Sequence, residues 1–536
     1  MRSAYTPAIR ICTKHDNLAS WDWGVLKHYF PQHCIYLRVQ QAKYLTLVSF
    51  TMTQSAQSTS IKKVAVVGSG CSDERLGGHT NTVQWTAGKY SVGVDTGFIV
   101  LNTATYPNFI NFLKKMRIET EPTRMDLSVS RDHGAFEWAG KNLASVFCQS
   151  KNLFSVHMWR MLFDVVRFNQ FALDVLIDAD EQDTVTGSEP IGMYLDRHGY
   201  SDAFRDGYLT PITAAVWSTS HDKCIDAFPT LTLIRFLWNH HQLSTVATRP
   251  DWLTLKQGSK SYIDAVMNDI PSDRVFVNSP VQLVNNNANG RVNVHLRDGG
   301  IDTFDHVILA THGDQALSIL GSSATKEEKA VLSCFKTSRN EVVLHSDIKL
   351  MPRKRSAWSS WNYMTLSSQS KTYIDKVSLT YNMNILQHIP ESKLGHVLVT
   401  MNPLHPPDPA LTQGNFVYSH PLYTTEAIQA QKRLPQIHNK RGISFAGAWT
   451  NYGFHEDGFN SGLRAAQGLG AKLPFDFVDS TLSRGTKPKL GVADYLARLL
   501  IFFVQVFVIQ TLEFLAGSQR GPTRKARKRG KVEKQT

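Results

Sequence analysis

Residues 64–80, VAVVGSGCSDERLGGHT, constrain the fold of this chain more than any other stretch. Val64 to Val67 run continuously apolar into Gly68-Ser69-Gly70, as a buried parallel strand does when it ends in a nucleotide-binding turn. In such a unit the first glycine makes the turn and the second lets the backbone approach a pyrophosphate. A third lets the following helix pack on the strand. Here the third place falls on Asp73, and Glu74 follows at once. A crossover between parallel strands needs a dozen or more residues, usually a helix. Cys71-Ser72-Asp73 cannot supply one, so the phosphate turn stands without the helix it should open.

The chain has 536 residues, 42% of them hydrophobic and 10% aromatic, enough for a large core and for two or more domains. Six cysteines, at 12, 34, 71, 148, 224 and 334, form no CxxC pair, no metal spacing and no disulfide-dense framework. A reducing compartment follows, and no metal site is expected. The formal charge of +13 is concentrated at the end, in RGPTRKARKRGKVEK, so nucleic-acid binding by the body is not expected. The N-terminal 60 residues lack the apolar core and cleavage site of a secretory signal. MRSAYTPAIRICTK has the basic, acid-free character of a mitochondrial presequence until Asp16 and Asp22 interrupt it. The polar run MTQSAQSTSIKK, from Met52, reads as a natural short N-terminus at which translation could begin, and nothing is built on the first 51 residues.

Further along, YPNFINFLKKM (106–116) and MWRMLFDVVRFNQFALDVL (158–176) carry apolar residues at helical spacing. MDLSVSRDHGAFEWAG between them alternates like a strand pair around a glycine turn. The aromatic residues here are core candidates that together could line an apolar substrate cavity. In 274–320 the segments RVFV, VQLV, VNVHLRDG and DHVILAT read as successive strands, with an Asn-Gly turn before the third. Finally, GISFAGAWTNYGFHEDGFNSGLRAAQGLGAKLP (442–474) predicts a short strand, a turn through Gly447 and a helix starting near Gly458.

These segments together resemble the FAD-dependent flavin amine oxidase and phytoene desaturase superfamily. More narrowly they resemble its bacterial and fungal branch of FAD/NAD(P)-binding, amine-oxidase-like oxidoreductases. The words that carry the likeness are RLGGHTNTV, DTGFIVLNTATYPNF, THGDQALSIL, RNEVVLHSD, MPRKRSAWSSWNY, TYNMNILQ and GAWTNYGFHEDGFNSGL, within residues 62–475. By this resemblance the first Rossmann helix and most of the second strand are missing between Ser72 and Asp73. The implied fold is α/β: a Rossmann-type FAD-binding domain with an incomplete βαβ start, an α+β substrate or cap domain, and a C-terminal apolar helix. Its parts would be an N-terminal extension (1–60), FAD-binding stretches at 61–105, 255–330 and 441–476, and cap stretches at 106–254 and 331–440. A linker (477–493), the apolar helix (494–517) and a basic tail (518–536) complete the chain.

The resemblance implies FAD as cofactor, held by Gly68, Gly70, Glu74, Arg75, Gly77, Gly78, by the backbone of Val281, and by Gly447 at the last strand. The superfamily's Gly-Asp or Gly-Glu pair is here Gly447-Ala448, which leaves Glu456 or Asp457 to make that contact. A helix N-terminus suits reduced flavin because it holds about half a positive charge where the flavin turns negative. The run His455-Glu456-Asp457 can either serve proton transfer or cap the helix. Trp361, Tyr381, Asn384, Trp449, Tyr452 and His455 are the candidate substrate wall. No catalytic residue and no amine cage is assignable, and the implied reaction is hydride removal from a substrate C–H bond. The alternative is a non-catalytic relative, truncated at the dinucleotide site and acting as a membrane-associated binding or structural protein.

LLIFFVQVFVIQTL (499–512) is apolar on every side and precedes the basic tail. Lysines and arginines beyond an apolar helix are drawn to anionic cytoplasmic lipid, each by about 1 kcal/mol. The expectation is attachment to the cytoplasmic face of an internal membrane, with a small-molecule substrate as the other partner.

Overall fold

The computed structural model describes residues 34–38, 63–68, 75–179, 189–217, 225–226, 228–243, 249–367, 374–479, 484–485 and 487–511, with backbone alone at 34–38 and 374–375. Gly70, Glu74 and the basic tail lie outside the described residues.

Five strands form a wholly parallel sheet: β1 (Cys34–Arg38), β2 (Lys63–Val67), β3 (Val275–Phe276), β4 (His306–Leu309) and β5 (Ile443–Phe445), in the order β3-β1-β2-β4-β5. Ala65, Val67, Val307, Leu309, Ile443 and Phe445 are buried, as strands covered on both faces require. The order is that of a dinucleotide-binding sheet, in which the second strand of the unit lies beside the first, opposite the fourth. β1 stands in that second place. It comes from upstream of β2, pairing Cys34 with Lys63 and Arg38 with Val67, and residues 39–62 make the connection. Nothing in the sequence marked this strand.

The segment returning to the sheet folds as the three-stranded meander Val281–Asn286, Val292–Leu296 and Ile301–Phe304 before β4. A separate seven-stranded sheet runs Thr412–Pro421, Thr337–His345, Leu398–Met401, Ile374–Asn382, Trp361–Ser367, Leu127–Arg131, Phe136–Ala139. Its last two strands are the expected pair around a glycine turn. Helix α1 (Pro107–Lys115) buries Phe109, Phe112 and Leu113 at helical spacing, starts with proline and ends in Lys114 and Lys115, which suit its C-terminal dipole.

The helix expected over 158–176 is two helices, α2 (Val156–Phe171) and a shorter one (Leu173–Asp178), meeting at Ala172. Helix α3 (His455–Gly468) starts three residues before the expected Gly458. Phe454 takes an extended backbone, and the Asp457 carboxylate accepts its N–H at 2.9 Å, so the helix is capped there. Helix α4 (Val492–Phe503) continues through a wider turn, Val504–Ile509. It is not solvent-facing on all sides: Ile501 is buried and Arg498 reaches Asp174 (2.8 Å) and the carbonyl of Gln170.

Candidate functional site

The C-terminal ends of β2, β4 and β5 meet at Thr311, where ligands of open parallel sheets bind. Gly68 leaves β2 at φ +103, and a Cβ there would stand 2.7 Å from the Ala310 oxygen and 2.8 Å from the Thr311 methyl. Gly447 leaves β5 at φ +150, where a Cβ would stand 2.5 Å from Trp449 Nε1 and 3.1 Å from the Thr311 oxygen. Only glycine meets both the backbone angle and the close approach at these two positions. The Trp449 indole donates to the Thr311 carbonyl at 2.7 Å, and the Gly447 N–H donates to Ser461 Oγ on α3 at 2.8 Å. Trp449 is thus a wedge between β4 and β5, buried against Phe335.

The Arg75–Gly78 turn packs toward α3, with Leu76 against the cluster that holds Phe459 and Leu463. Gly77 and Gly78 have positive φ, and the Arg75 guanidinium donates to the carbonyls of Leu76, Gly78 and Thr80, so it holds its own loop closed. From this loop a buried hydrogen-bonded chain runs to α3: Thr80 Oγ1 to the Tyr262 hydroxyl at 3.0 Å, and that hydroxyl to His455 Nε2 at 2.8 Å. The His455 ring stacks on Phe98 with centroids 4.0 Å apart. Burial drives its pKa down to about 3, so His455 is neutral.

The two acids after it bond to backbone. Glu456 accepts from the N–H groups of Asn108 (3.0 Å) and Phe109 (2.9 Å) and from the Asn108 amide (3.0 Å), capping α1. Asp457 accepts from Phe454 N–H and from Asn451 Nδ2, both at 2.9 Å. Burial pushes each pKa up to about 7 even so. Beside them a cavity of about 20 Å³ is lined by Thr105, His240, Tyr452, Phe454, Glu456 and Asp457 among others, room for one water.

Other predicted residues are spread wider. Trp361 and Tyr381 are paired neighbours on adjacent strands of the seven-stranded sheet, rings 5.2 Å apart and edge to face. Asn384 clamps a loop, donating to the carbonyls of Ile389 and Gly395 and accepting from Val397 N–H. Val281 is buried at the start of the meander. The fold brings Gly68, Gly447 and Trp449 together at Thr311, and His455 to the glycine turn through Tyr262. It does not bring Trp361, Tyr381 and Asn384 to that point by any hydrogen bond or ring contact among the described residues.

Several residues at this junction were not singled out from sequence. His79 packs against Tyr418 and His420, with centroids 4.7 and 4.9 Å apart, and the Tyr418 hydroxyl accepts from Asn81 Nδ2 at 2.9 Å. Trp217 donates to the Tyr452 carbonyl, and Tyr423 fills the place of a side chain at Gly453. His79 was signalled by its place after Gly77-Gly78, whereas Tyr418 and His420 sit on a strand whose pairing only the tertiary fold reveals.

A dinucleotide is accommodated by this arrangement at one end only. The convergence of β4, β5 and the α3 N-terminus on glycine-only positions fits a flavin end. The pyrophosphate end does not fit, because the three residues between Gly70 and Glu74 supply no helix to present amides to phosphate.

Residues 72–331 match the family described as flavin containing amine oxidoreductase. No curated protein sequence matches the chain significantly. Among solved structures, wild-type putrescine oxidase bound to putrescine aligns at 11% identity and TM-score 0.51, covering 76% of this chain and 93% of that one. Cyclohexylamine oxidase from Brevibacterium oxydans IH-35A aligns at 13% identity and TM-score 0.50, covering 76% and 93%. A CLA-producing fatty acid isomerase from P. acnes aligns at 11% and 0.51, covering 76% and 92%. At these identities the structures speak to the fold alone. The family match over residues 72–331 supports a flavin amine oxidase-like oxidoreductase with FAD as its cofactor, and the fold agrees with it.

Proposed function

We propose that the reaction is removal of a hydride from a C–H bond of a small substrate, amine-oxidase-like in kind, with the three stretches 61–105, 255–330 and 441–476 forming the FAD-binding domain. The observation that carries this reading is the meeting of Gly68, Gly447 and Trp449 at Thr311 beside the N-terminus of α3. In it, Gly447 with α3 forms the flavin end, and Gly68, Gly70, Glu74, Arg75, Gly77, Gly78 and the Val281 backbone would hold the rest of the dinucleotide once the helix and strand missing between Ser72 and Asp73 are restored.

FAD, when bound, accepts the hydride. The chain's own groups orient and dry the site: Trp449 fixes the spacing of β4 and β5, and the aromatic packing of Phe98, Phe109, Tyr262 and His455 excludes water beneath α3. His455 hydrogen-bonds Tyr262 as a neutral ring and is a positioning residue; with its pKa near 3 it takes up no proton at neutral pH. Of the two roles open to the run His455-Glu456-Asp457, capping is the one the hydrogen bonds support. Trp361, Tyr381, Asn384 and Tyr452 remain the proposed wall on the cap side. The comparisons lend no support to a non-catalytic role.

The chain as it stands should purify with little or no flavin. Insertion between Ser72 and Asp73 of a helix and strand, about 25 residues long, should give a yellow protein and displace β1 from its place beside β2. Stoichiometric flavin absorbance in the unmodified protein would show that the missing helix is not needed.

Val492–Ile509 is long and apolar enough to cross a membrane by length and composition, and 6% of it is buried. It underlies the second part of the proposal, attachment to the cytoplasmic face of an internal membrane with the basic tail in the cytosol. Removing residues 494–536 should move the protein from the membrane pellet to the soluble fraction. A full-length protein that is soluble without detergent refutes the attachment.

A further inference from the structure

The attachment proposed above concerns one helix, yet a second apolar surface lies exposed on the cap. Leu143 is 74% exposed, Leu153 45%, Phe154 89%, Val156 81% and Trp159 53%. All five fall within a short helix (Leu143–Val146), the turn Ser150–Phe154 and the first turn of α2. The segment is not loose. Asn142 caps the short helix, Gln149 and Asn152 bond the backbone of the strand Phe136–Ala139, and Trp159 donates to the Leu153 carbonyl while packing on Phe147. A surface held this firmly with its large side chains outward marks an interaction face.

Its rim is basic. Lys151 bonds the Ala135 carbonyl, and Lys141 the Trp358 carbonyl. Exposed Arg353 and Lys354 lie against Gly134 and Glu137, their backbone N–H groups bonding the Glu137 carboxylate. Arg355, paired with Glu391, lies at the turn packed on the short helix. Apolar side chains with an interfacial tryptophan, ringed by lysine and arginine, match an anionic bilayer surface.

α4 packs on the C-terminal half of α2, the helix whose first turn carries Val156 and Trp159. Lys487 bonds the Ile177 carbonyl, and Arg498 bonds the Gln170 carbonyl and Asp174, so the chain runs back along α2 toward Val156 and Trp159. Over that course α4 presents Tyr495, Leu496, Leu499, Leu500 and Phe503 outward, and the wider turn after it presents Phe507. Beneath it a cavity of about 420 Å³ remains, lined by Arg167, Phe171, Tyr194, Ile501 and Phe502 among others. A helix that existed to complete the core would fill that space.

We infer that Leu143, Leu153, Phe154, Val156 and Trp159 form a second membrane-docking surface, which rests on anionic lipid headgroups and lays the cap against the bilayer beside α4. The inference rests on the attachment proposed above. The test uses full-length protein and sedimentation with vesicles of phosphatidylcholine alone or mixed with phosphatidylserine. The double variant F154D/V156D removes apolar contact at two exposed positions, and Asp at 156 begins α2, where a negative charge is favourable. It should bind phosphatidylserine vesicles at least about tenfold more weakly than wild type, whereas Phe154→Leu should bind as wild type does. A second arm, L499D/F503D, addresses α4. If L499D/F503D binds as well as wild type, the α4 attachment fails. If L499D/F503D loses binding while F154D/V156D retains it all, α4 stands and the second surface is overturned. Wild-type binding that is equal on both vesicle types, or a concentration-dependent dimer lost in F154D/V156D without change in vesicle binding, also overturns it.

Discussion

Glu456 shows how a residue in a functional motif can be committed to structure. Its carboxyl group accepts three N–H groups at the start of α1, each such bond worth about 0.5–1.5 kcal/mol while the group is neutral. Burial works against the charge and raises the folded pKa from 4.5 to about 7. A raised folded pKa means that the folded state binds the proton more tightly than the unfolded one. The stability tied to this proton is fully present below 4.5 and is lost as pH rises through about 7. Glu456→Gln keeps the size, introduces an amide that cannot accept from all three donors, and removes the titration. It should lower stability by about 2 kcal/mol near pH 4.5, with the difference from wild type narrowing and then changing sign as pH rises toward 7, since a shift of this size is worth about 3 kcal/mol. Urea unfolding at several pH values checks this, and a difference that stays constant or widens would show that Glu456 does not titrate in this range. Asp457, also raised to about 7, adds a slope of the same sign, and His455, depressed to about 3, adds the opposite one.

At the scale of elements, the critical joint is the one between β4, β5 and α3. Gly447→Val would force a β-branched residue to φ +150 and drive its side chain into Trp449 and the Thr311 carbonyl, strain of about 1–3 kcal/mol before the clash is counted. In a protein repaired between Ser72 and Asp73, Gly447→Val should lose flavin while the seven-stranded sheet stays folded, as read from far-UV circular dichroism and visible absorbance. Flavin content equal to that of the unsubstituted protein would remove Gly447 from the site. Much of this joint was legible in the sequence, because strand, glycine turn and small-residue helix follow one another within 442–474. α3 starts three residues before Gly458 because the Asp457 carboxylate makes the cap at Phe454. Tyr262 was not legible at all. It sits on the buried face of an ordinary helix, Lys260–Asn268, and matters only because tertiary packing sets its hydroxyl between Thr80 and His455.

For the whole molecule, the strand order 3-2-1-4-5 survives even though the segment that normally supplies the second strand is absent. The acid-to-glycine joint at 70–78 announced that absence in the sequence. It did not announce that Cys34–Arg38 would take the place, because five residues of ordinary strand composition carry no signal of which partner they will pair with. The substitution has a consequence for how the protein is made. A chain initiated at Met52 would lack β1, and β2 would face β3 across two strand spacings, about 10 Å, too far for backbone pairing. The outward-pointing backbone groups of Lys63–Val67 would then form an open seam in the middle of a sheet rather than at its rim. A chain beginning at Met52 would therefore emerge not as a closed sheet but as one that must borrow a strand from another chain.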